Sequence, residues 1–222
     1  MVKFIHAADL HLGITYAGVG KNHKDIARML KQAAFDAFER VIDTAIEEEV
    51  DALVLAGDLL DSSSTFVKEK LFLQSQLNRL APFGIPVVVA LGNHDAGTSY
   101  VSGEHIYTFG SDVETIELET RNGERVAFSG FSYEVPVVAT RKVQEYPMKS
   151  ANCDIHIGVL HGELTTAQGR YAPFSIPELR EKGYDYWALG HIHTCQEVSS
   201  QPCAWYSGTT QGAYRKESGS KG

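Results

Sequence analysis

Cysteine is scarce in this sequence: Cys153, Cys195 and Cys203 are odd in number and show no C-x-x-C spacing. That excludes a disulfide framework and a cysteine-built zinc site, and it makes a reducing cytosol the simplest compartment. Cys195 and Cys203 read as free thiols facing each other across a closing hairpin. Long apolar runs are missing too. None approaches the ~18 residues of a membrane span, and Met1-Val2-Lys3-Phe4-Ile5-His6-Ala7-Ala8-Asp9 breaks off too early for a signal peptide. Positive charge is short, with 20 Lys and Arg against 28 Asp and Glu, a net charge of −8. That argues against a protein that grips nucleic acid through its overall field, though not against a nucleic-acid substrate met at a local site. What the sequence does have is 222 residues, 43% hydrophobic and 22% charged, which suits one large domain with a proper core. It also has nine histidines.

Apolar runs alternate with helical patterns, so the class is α/β. Val2–Ala8 reads as a strand, and Lys24–Glu48 as a long amphipathic helix with Ile26, Leu30, Ala34, Ala37 and Val41 on one stripe. Asp51–Ala56 and Ile85–Leu91 are short continuous apolar runs, as expected of strands buried on both faces, with a helix over Lys68–Leu80 between them. Val113–Thr120 and Glu124–Gly130 flank Asn122-Gly123, a hairpin signal that predicts a type I′ turn. Asp154–Leu160 and Tyr184–Leu189 are two further buried strands, separated by a helix over Ile176–Lys182 capped by Ser175. Cys195–Val198 and Ala204–Tyr206 form the closing hairpin, followed by a polar tail, Lys216–Gly222.

Chemistry-bearing residues stand where the strands end. Asp9-Leu10-His11 follows the first strand, Gly57-Asp58-Leu59-Leu60-Asp61 the second, and Gly92-Asn93-His94-Asp95 the third. Leu160-His161-Gly162 and Gly190-His191-Ile192-His193 follow the two late strands. Crevices outside strand ends are where α/β folds bind ligands. A lone Asp-x-His or His-x-His is usually loop chemistry, but five such segments, each at a strand end, point to metal. Glycines before Asp58, Asn93 and His191 let the backbone turn sharply beside a crowded site. Carboxylate, imidazole and amide oxygen without thiolate suit Mn, Fe or Zn. His6 and His156 fall inside strands and read as core histidines, whereas His23 and His105 read as solvated.

These segments, taken in order, resemble the signature of the calcineurin-like metallophosphoesterase superfamily. Ala7-Ala8-Asp9-Leu10-His11-Leu12-Gly13, Ala56-Gly57-Asp58-Leu59-Leu60-Asp61, Tyr171-Ala172-Pro173-Phe174-Ser175 and Tyr184-Asp185-Tyr186-Trp187-Ala188-Leu189-Gly190-His191-Ile192-His193 resemble its DNA-repair exonuclease branch, the SbcD and YhaO-like nucleases. The resemblance implies a four-layer αββα sandwich, two mixed β-sheets flanked by helices, with a dinuclear metal site at the strand ends. It implies that Asp9, His11, Asp58 and His193 hold one divalent ion and Asp58, Asn93, His161 and His191 the other, with Mn foremost. It also implies attack by a metal-bridging hydroxide, with His94 serving the leaving oxygen, Asp95 holding the His94 ring, and Asp61 orienting a ligand or water. Archaeal and eukaryotic relatives carry histidine where Asp61 stands, and bacterial ones carry aspartate.

The function expected from this resemblance is a metal-dependent phosphodiesterase, a DNA exonuclease or endonuclease of the SbcD type. Its implied partners are DNA, an ABC-type (SMC-like) ATPase and a second copy in a homodimer, with no membrane. A small-substrate phosphatase with the same centre and a non-catalytic protein-binding scaffold are the alternatives. Two divalent ions would halve the net charge of −8 and leave the site itself locally positive. The resembling enzymes continue past Gly219-Ser220-Lys221-Gly222, so residues 1–222 are expected to be a catalytic domain truncated before a C-terminal cap.

Overall fold

The computed structural model describes residues 1–14, 24–61, 67–98, 100–212, 217, 219 and 221. Its elements run β1 (Phe4–Ala7), α1 (Lys24–Glu47), β2 (Ala52–Ala56), α2 (Val67–Asn78), β3 (Val87–Ala90), β4 (Ile106–Thr108), β5 (Glu114–Glu119), β6 (Arg125–Gly130), β7 (Ile155–His161), α3 (Ile176–Lys182), β8 (Tyr186–Gly190), β9 (Gln196–Ser200) and β10 (Cys203–Tyr206). One sheet has the order β1-β2-β3-β4 and the other β5-β6-β7-β8-β10-β9. The expectation of two mixed sheets holds for the second only. Every pairing in the first is parallel, because helical crossovers return the chain in the same direction from β1 to β2 and from β2 to β3. In the second, β5 and β9 are antiparallel edges on a parallel centre.

Period-two alternation sorts the buried side chains into layers. Along β2 and β3, Leu53, Leu55, Val87 and Val89 face α1 and α2, where Phe38, Ile42, Leu73 and Leu77 meet them. Ala52, Val54, Ala56, Val88 and Ala90 point the other way, onto Val126, Phe128, Ile157, Val159 and Ala188 of the second sheet. The alanines between the sheets let them approach closely. Trp187 and Leu189 on the outer face of the second sheet pack with Phe174, Leu179 and Tyr146 under α3. Each fully buried Leu, Val or Phe contributes ~1.5–3 kcal/mol, so the strand ends rest on a rigid base. Among the described residues, no helix is long and apolar enough to cross a membrane.

Several local expectations need correction. At the β5–β6 hairpin the Gly123 N–H donates to the Thr120 carbonyl (2.9 Å), the Thr120 N–H donates to the Glu124 carbonyl (2.9 Å), and Gly123 has φ 80°. This is a three-residue loop in which a left-handed glycine follows an ordinary turn, rather than a two-residue type I′ turn. Cys203 pairs with Ser200 across the last hairpin, and Cys195 lies before β9, so the two thiols are not cross-strand partners. All three cysteines are free. His105 is half-buried with a ring nitrogen 3.0 Å from the Leu77 carbonyl, and His23 lies outside the described residues.

His156 is a core histidine. Its Nε2 lies 2.8 Å from Ser129 Oγ, its Nδ1 accepts the Ser150 N–H at 3.1 Å, and its ring stacks on Tyr184 at 3.8 Å. Burial pushes its pKa down to about 4. The unfolded chain takes up this proton near pH ~6.5 and the folded chain only near 4. The stability it contributes is therefore complete above the unfolded value and lost as pH falls through the folded one. Urea midpoints of wild type and His156→Gln at pH ~7, ~5.5 and ~4 should diverge at the top of this range and converge at the bottom. The differential effect is on the order of 2–3 kcal/mol.

Candidate metal centre

Beyond β1 and β2 the two chains stay side by side. The Asp9 N–H donates to the Gly57 carbonyl (2.9 Å), His11 N–H to Asp58 (3.0 Å) and Leu12 N–H to Leu59 (3.0 Å). To keep this contact while turning their side chains inward, Asp9 (φ 53°), His11 (43°) and Asp58 (53°) take the left-handed backbone region, as does His191 (103°) on the second sheet. Non-glycine residues there cost on the order of 1–3 kcal/mol each and persist only where the surroundings enforce them. The glycines serve space as much as turning. A Cβ on Gly92 would lie 2.2 Å from Asp58 Oδ1, and one on Gly190 would lie 1.9 Å from the Ala56 carbonyl oxygen.

The side chains delivered there converge. Asp9, Asp58, His11 and His161 are all buried. Among the described residues, three groups have ligand atoms within 4.8 Å of one another: Asp9, His11 and His193; Asp9, Asp58 and His161; and His11, Asp58 and His94. The His161 ring hydrogen-bonds the Ala56 carbonyl through Nδ1 (2.9 Å), which turns Nε2 toward Asp58 Oδ2 (3.3 Å) and Asn93 Oδ1 (3.1 Å). His191 joins through its backbone, whose N–H donates to both Asp9 oxygens (3.1 and 3.0 Å), while its ring lies against His161 and Tyr171.

Electrostatics bind the cluster into one unit. Burial would raise the Asp58 carboxyl, but the His161 ring beside it holds it well below the usual carboxylate range. Burial would likewise depress His161, yet Asp58 and Asp9 raise it to about 9. Burial raises Asp9 to about 6 and lowers His11 and His191 to about 4. These groups suit a divalent cation on two observations. His11 Nε2 and His193 Nε2 face each other at 3.1 Å, so two nitrogen lone pairs need a proton or a cation between them. His11 Nδ1 is also buried without a hydrogen-bond partner. Oxygen and imidazole donors without thiolate complete the fit.

The carboxylate beside His94 is not the expected one. The Asp95 carboxylate does not hold the His94 ring. It accepts from the N–H groups of Leu59 (3.1 Å), Leu60 (3.0 Å) and Gly92 (2.9 Å) and from the Tyr100 hydroxyl (2.5 Å), stapling the second and third loops together. Asp61 is the carboxylate at His94, with Oδ1 3.5 Å from Nδ1, and its contact raises the His94 pKa. Asp95→Ala should therefore act as a folding mutation, leaving three buried N–H groups unpaired and costing about 3–5 kcal/mol. Tyr100→Phe, which removes one donor, should cost about 1–2 kcal/mol. Urea unfolding of both variants measures this.

Sequence reading missed Glu217. Its Oε1 lies 2.7 Å from His193 Nδ1, although it belongs to a polar tail that carries no local pattern. Tyr171, whose ring centroid lies 4.8 Å from that of His191, borders the site as well. An open cleft of about 340 Å³, lined by Asn93, His94, Pro136, Val137, Arg170 and Tyr171, leads to the cluster.

Comparison with known proteins meets this geometry. The sequence profile described as Calcineurin-like phosphoesterase matches residues 2–195. The "Uncharacterized metallophosphoesterase YhaO" of Bacillus subtilis is 39% identical over 229 residues, covering 100% of this chain and 56% of that protein. The "DNA double-strand break repair protein Mre11" of Methanopyrus kandleri is 27% identical, covering 86% of this chain and 44% of its own length, and that of Haloferax volcanii is 29% identical, covering 100% and 48%. The chain thus spans about half the length of the curated relatives it matches. Among solved structures, TT1561 of Thermus thermophilus aligns with a TM-score of 0.53 at 10% identity, covering 95% of this chain and 91% of that one. A dimetal phosphatase from Danio rerio aligns at 0.50 and 13%, covering 92% and 85%. At these identities the structural likeness is one of fold.

Proposed function

The chain belongs to the calcineurin-like phosphoesterase family, and on that premise we propose that it is a Mn-dependent phosphodiesterase that cleaves DNA, an exonuclease or endonuclease of the SbcD type acting in repair. The family brings a phosphoester hydrolase with a dinuclear metal centre. The finer reading draws support from the Mre11 relatives and, above all, from the position of His94. Its side chain is 38% exposed at the cleft, against 4% for His11 and 0% for His161. An imidazole at the mouth of a buried cluster is placed to meet a substrate rather than only to hold an ion.

In this reading Asp9, His11, Asp58 and His193 hold one ion and Asp58, Asn93, His161 and His191 the other, Mn foremost and Fe or Zn compatible. Bound there, the ions would supply activated water and take up charge on the phosphate oxygens. The chain's own part is orientation and proton transfer. Asp58 Oδ1 accepts the His94 N–H (2.9 Å), which fixes the His94 backbone beside the shared ligand. The His94 ring, with Asp61 behind it, gives a proton to the leaving oxygen. Gly57, Gly92 and Gly190 let these loops pack closely, since a Cβ on them would meet the His161 ring, Asp58 and the Ala56 carbonyl.

The proposal extends to a C-terminal cap domain, a homodimer, an ABC-type ATPase partner and a cytosolic location. A longer chain carrying such a cap would contact more phosphates and bind duplex DNA with a steeper salt dependence. Rates on linear duplex DNA, bis-p-nitrophenyl phosphate and p-nitrophenyl phosphate with added Mn test the core of it. Cleavage of DNA and of the diester ahead of the monoester is the expected result. Turnover of the monoester alone would leave a small-substrate phosphatase, and no turnover would leave a binding scaffold.

A further inference from the structure

We propose that Glu217 is a positioning residue of the metal centre, fixing the tautomer of His193 so that its bare Nε2 faces Asp9 and His11. The proposal rests on the reading of this cluster as a metal site. A neutral imidazole has one donor and one acceptor nitrogen, and an ionised carboxylate can only accept. With Glu217 Oε1 2.7 Å from Nδ1, the ring proton belongs on Nδ1, and the lone pair is on Nε2. That nitrogen lies 3.1 Å from His11 Nε2 and 3.9 Å from Asp9 Oδ1, in the group able to hold a cation.

A chance ion pair on a surface tail would not be so well seated. After β10 the chain is tied to the site before Glu217 is reached. The Thr209 N–H donates to the His193 carbonyl (3.1 Å), and its hydroxyl donates to the Asp9 carbonyl (2.7 Å). Gly208 passes so close that a Cβ there would lie 2.6 Å from Cys195 N. A Cβ on Gly212 would lie 2.7 Å from the Glu217 carbonyl oxygen, so Glu217 is packed against the chain that leaves Thr209. The Glu217 side chain is 15% exposed and that of His193 21%. The same segment therefore fastens Asp9 by its backbone and His193 by its ring. Carboxylate partners of ligating imidazoles set ring orientation and basicity, and their loss usually weakens metal binding about 10–100-fold.

The test combines Mn titration by calorimetry with long-range ¹⁵N NMR of the His193 ring in metal-free protein, on wild type, Glu217→Ala and Glu217→Gln, with thermal unfolding as a check on folding. Glu217→Ala should weaken Mn binding about 10–100-fold and mix the two tautomers, with little change in the unfolding midpoint. Glu217→Gln, whose amide oxygen can still accept, should restore the Nδ1-protonated form and recover part of the affinity. Wild-type Mn affinity together with an unchanged tautomer in Glu217→Ala would overturn the proposal. If wild type takes up no Mn, the metal-site reading fails, and the His193 tautomer alone then decides whether Glu217 sets it.

Discussion

Asp58→Ala is expected to strip Mn from the protein and abolish turnover of bis-p-nitrophenyl phosphate, while the fold survives. Among the described residues Asp58, like Asp9, belongs to two of the three potential ligand groups, and its oxygens also serve His161 (3.3 Å) and the His94 backbone (2.9 Å). On the proposed assignment its loss would take away the one ligand common to both ions, and it leaves His161 beside Asp9 with its principal counter-charge gone. Metal content should fall at one or both sites, and the rate should follow. Two effects on stability oppose each other: alanine gives up a buried charge, but it inherits a left-handed backbone at φ 53°. The net expectation is a modest shift of about 1–2 kcal/mol in urea. Elemental analysis after gel filtration, with the urea midpoint as control, measures both.

His94→Ala should part metal binding from chemistry. Every proposed ligand stays in place, so Mn content should remain near wild type while turnover of the diester falls by roughly 10²–10⁴, the usual worth of a positioned acid or electrostatic group. The geometry gives this comparison an edge, because the His94 ring also stands within reach of a cation shared with His11 and Asp58. Loss of Mn to the extent seen in Asp58→Ala would make His94 a ligand. Full activity would remove it from the chemistry of that substrate. A misfolded variant would lose metal and activity together, which the pairing with Asp58→Ala exposes.

Much of the site is legible in the sequence because its side chains end strands, where burial patterns change abruptly and a histidine or aspartate has no packing reason to be present. The hairpin at Asn122-Gly123 is legible as well, but its loop length is not, since one extra residue changes the turn without changing the flanking pattern. β4 is invisible at that level: three residues between Gly103 and Gly110, at the edge beside β3, are too few to show alternation. Asp95 misleads because adjacency to His94 suggests a contact that the turn sends the opposite way, toward the N–H groups of Leu59 and Leu60. Glu217 lies 24 positions from the ring it meets, and only tertiary structure brings them together.

The left-handed conformations of Asp9, His11, Asp58 and His191 bear on how the protein would fail. These loops are held against their own preference by the layer beneath them, so they are the first places to open when that layer softens. Trimming Phe128, fully buried between the sheets, should then reach the cluster before it reaches the fold. On warming, Phe128→Leu should lose Mn while its far-UV signal is still native. The core of this molecule is thus part of its metal affinity, and a substitution far from any ligand can silence the site in a protein that still counts as folded.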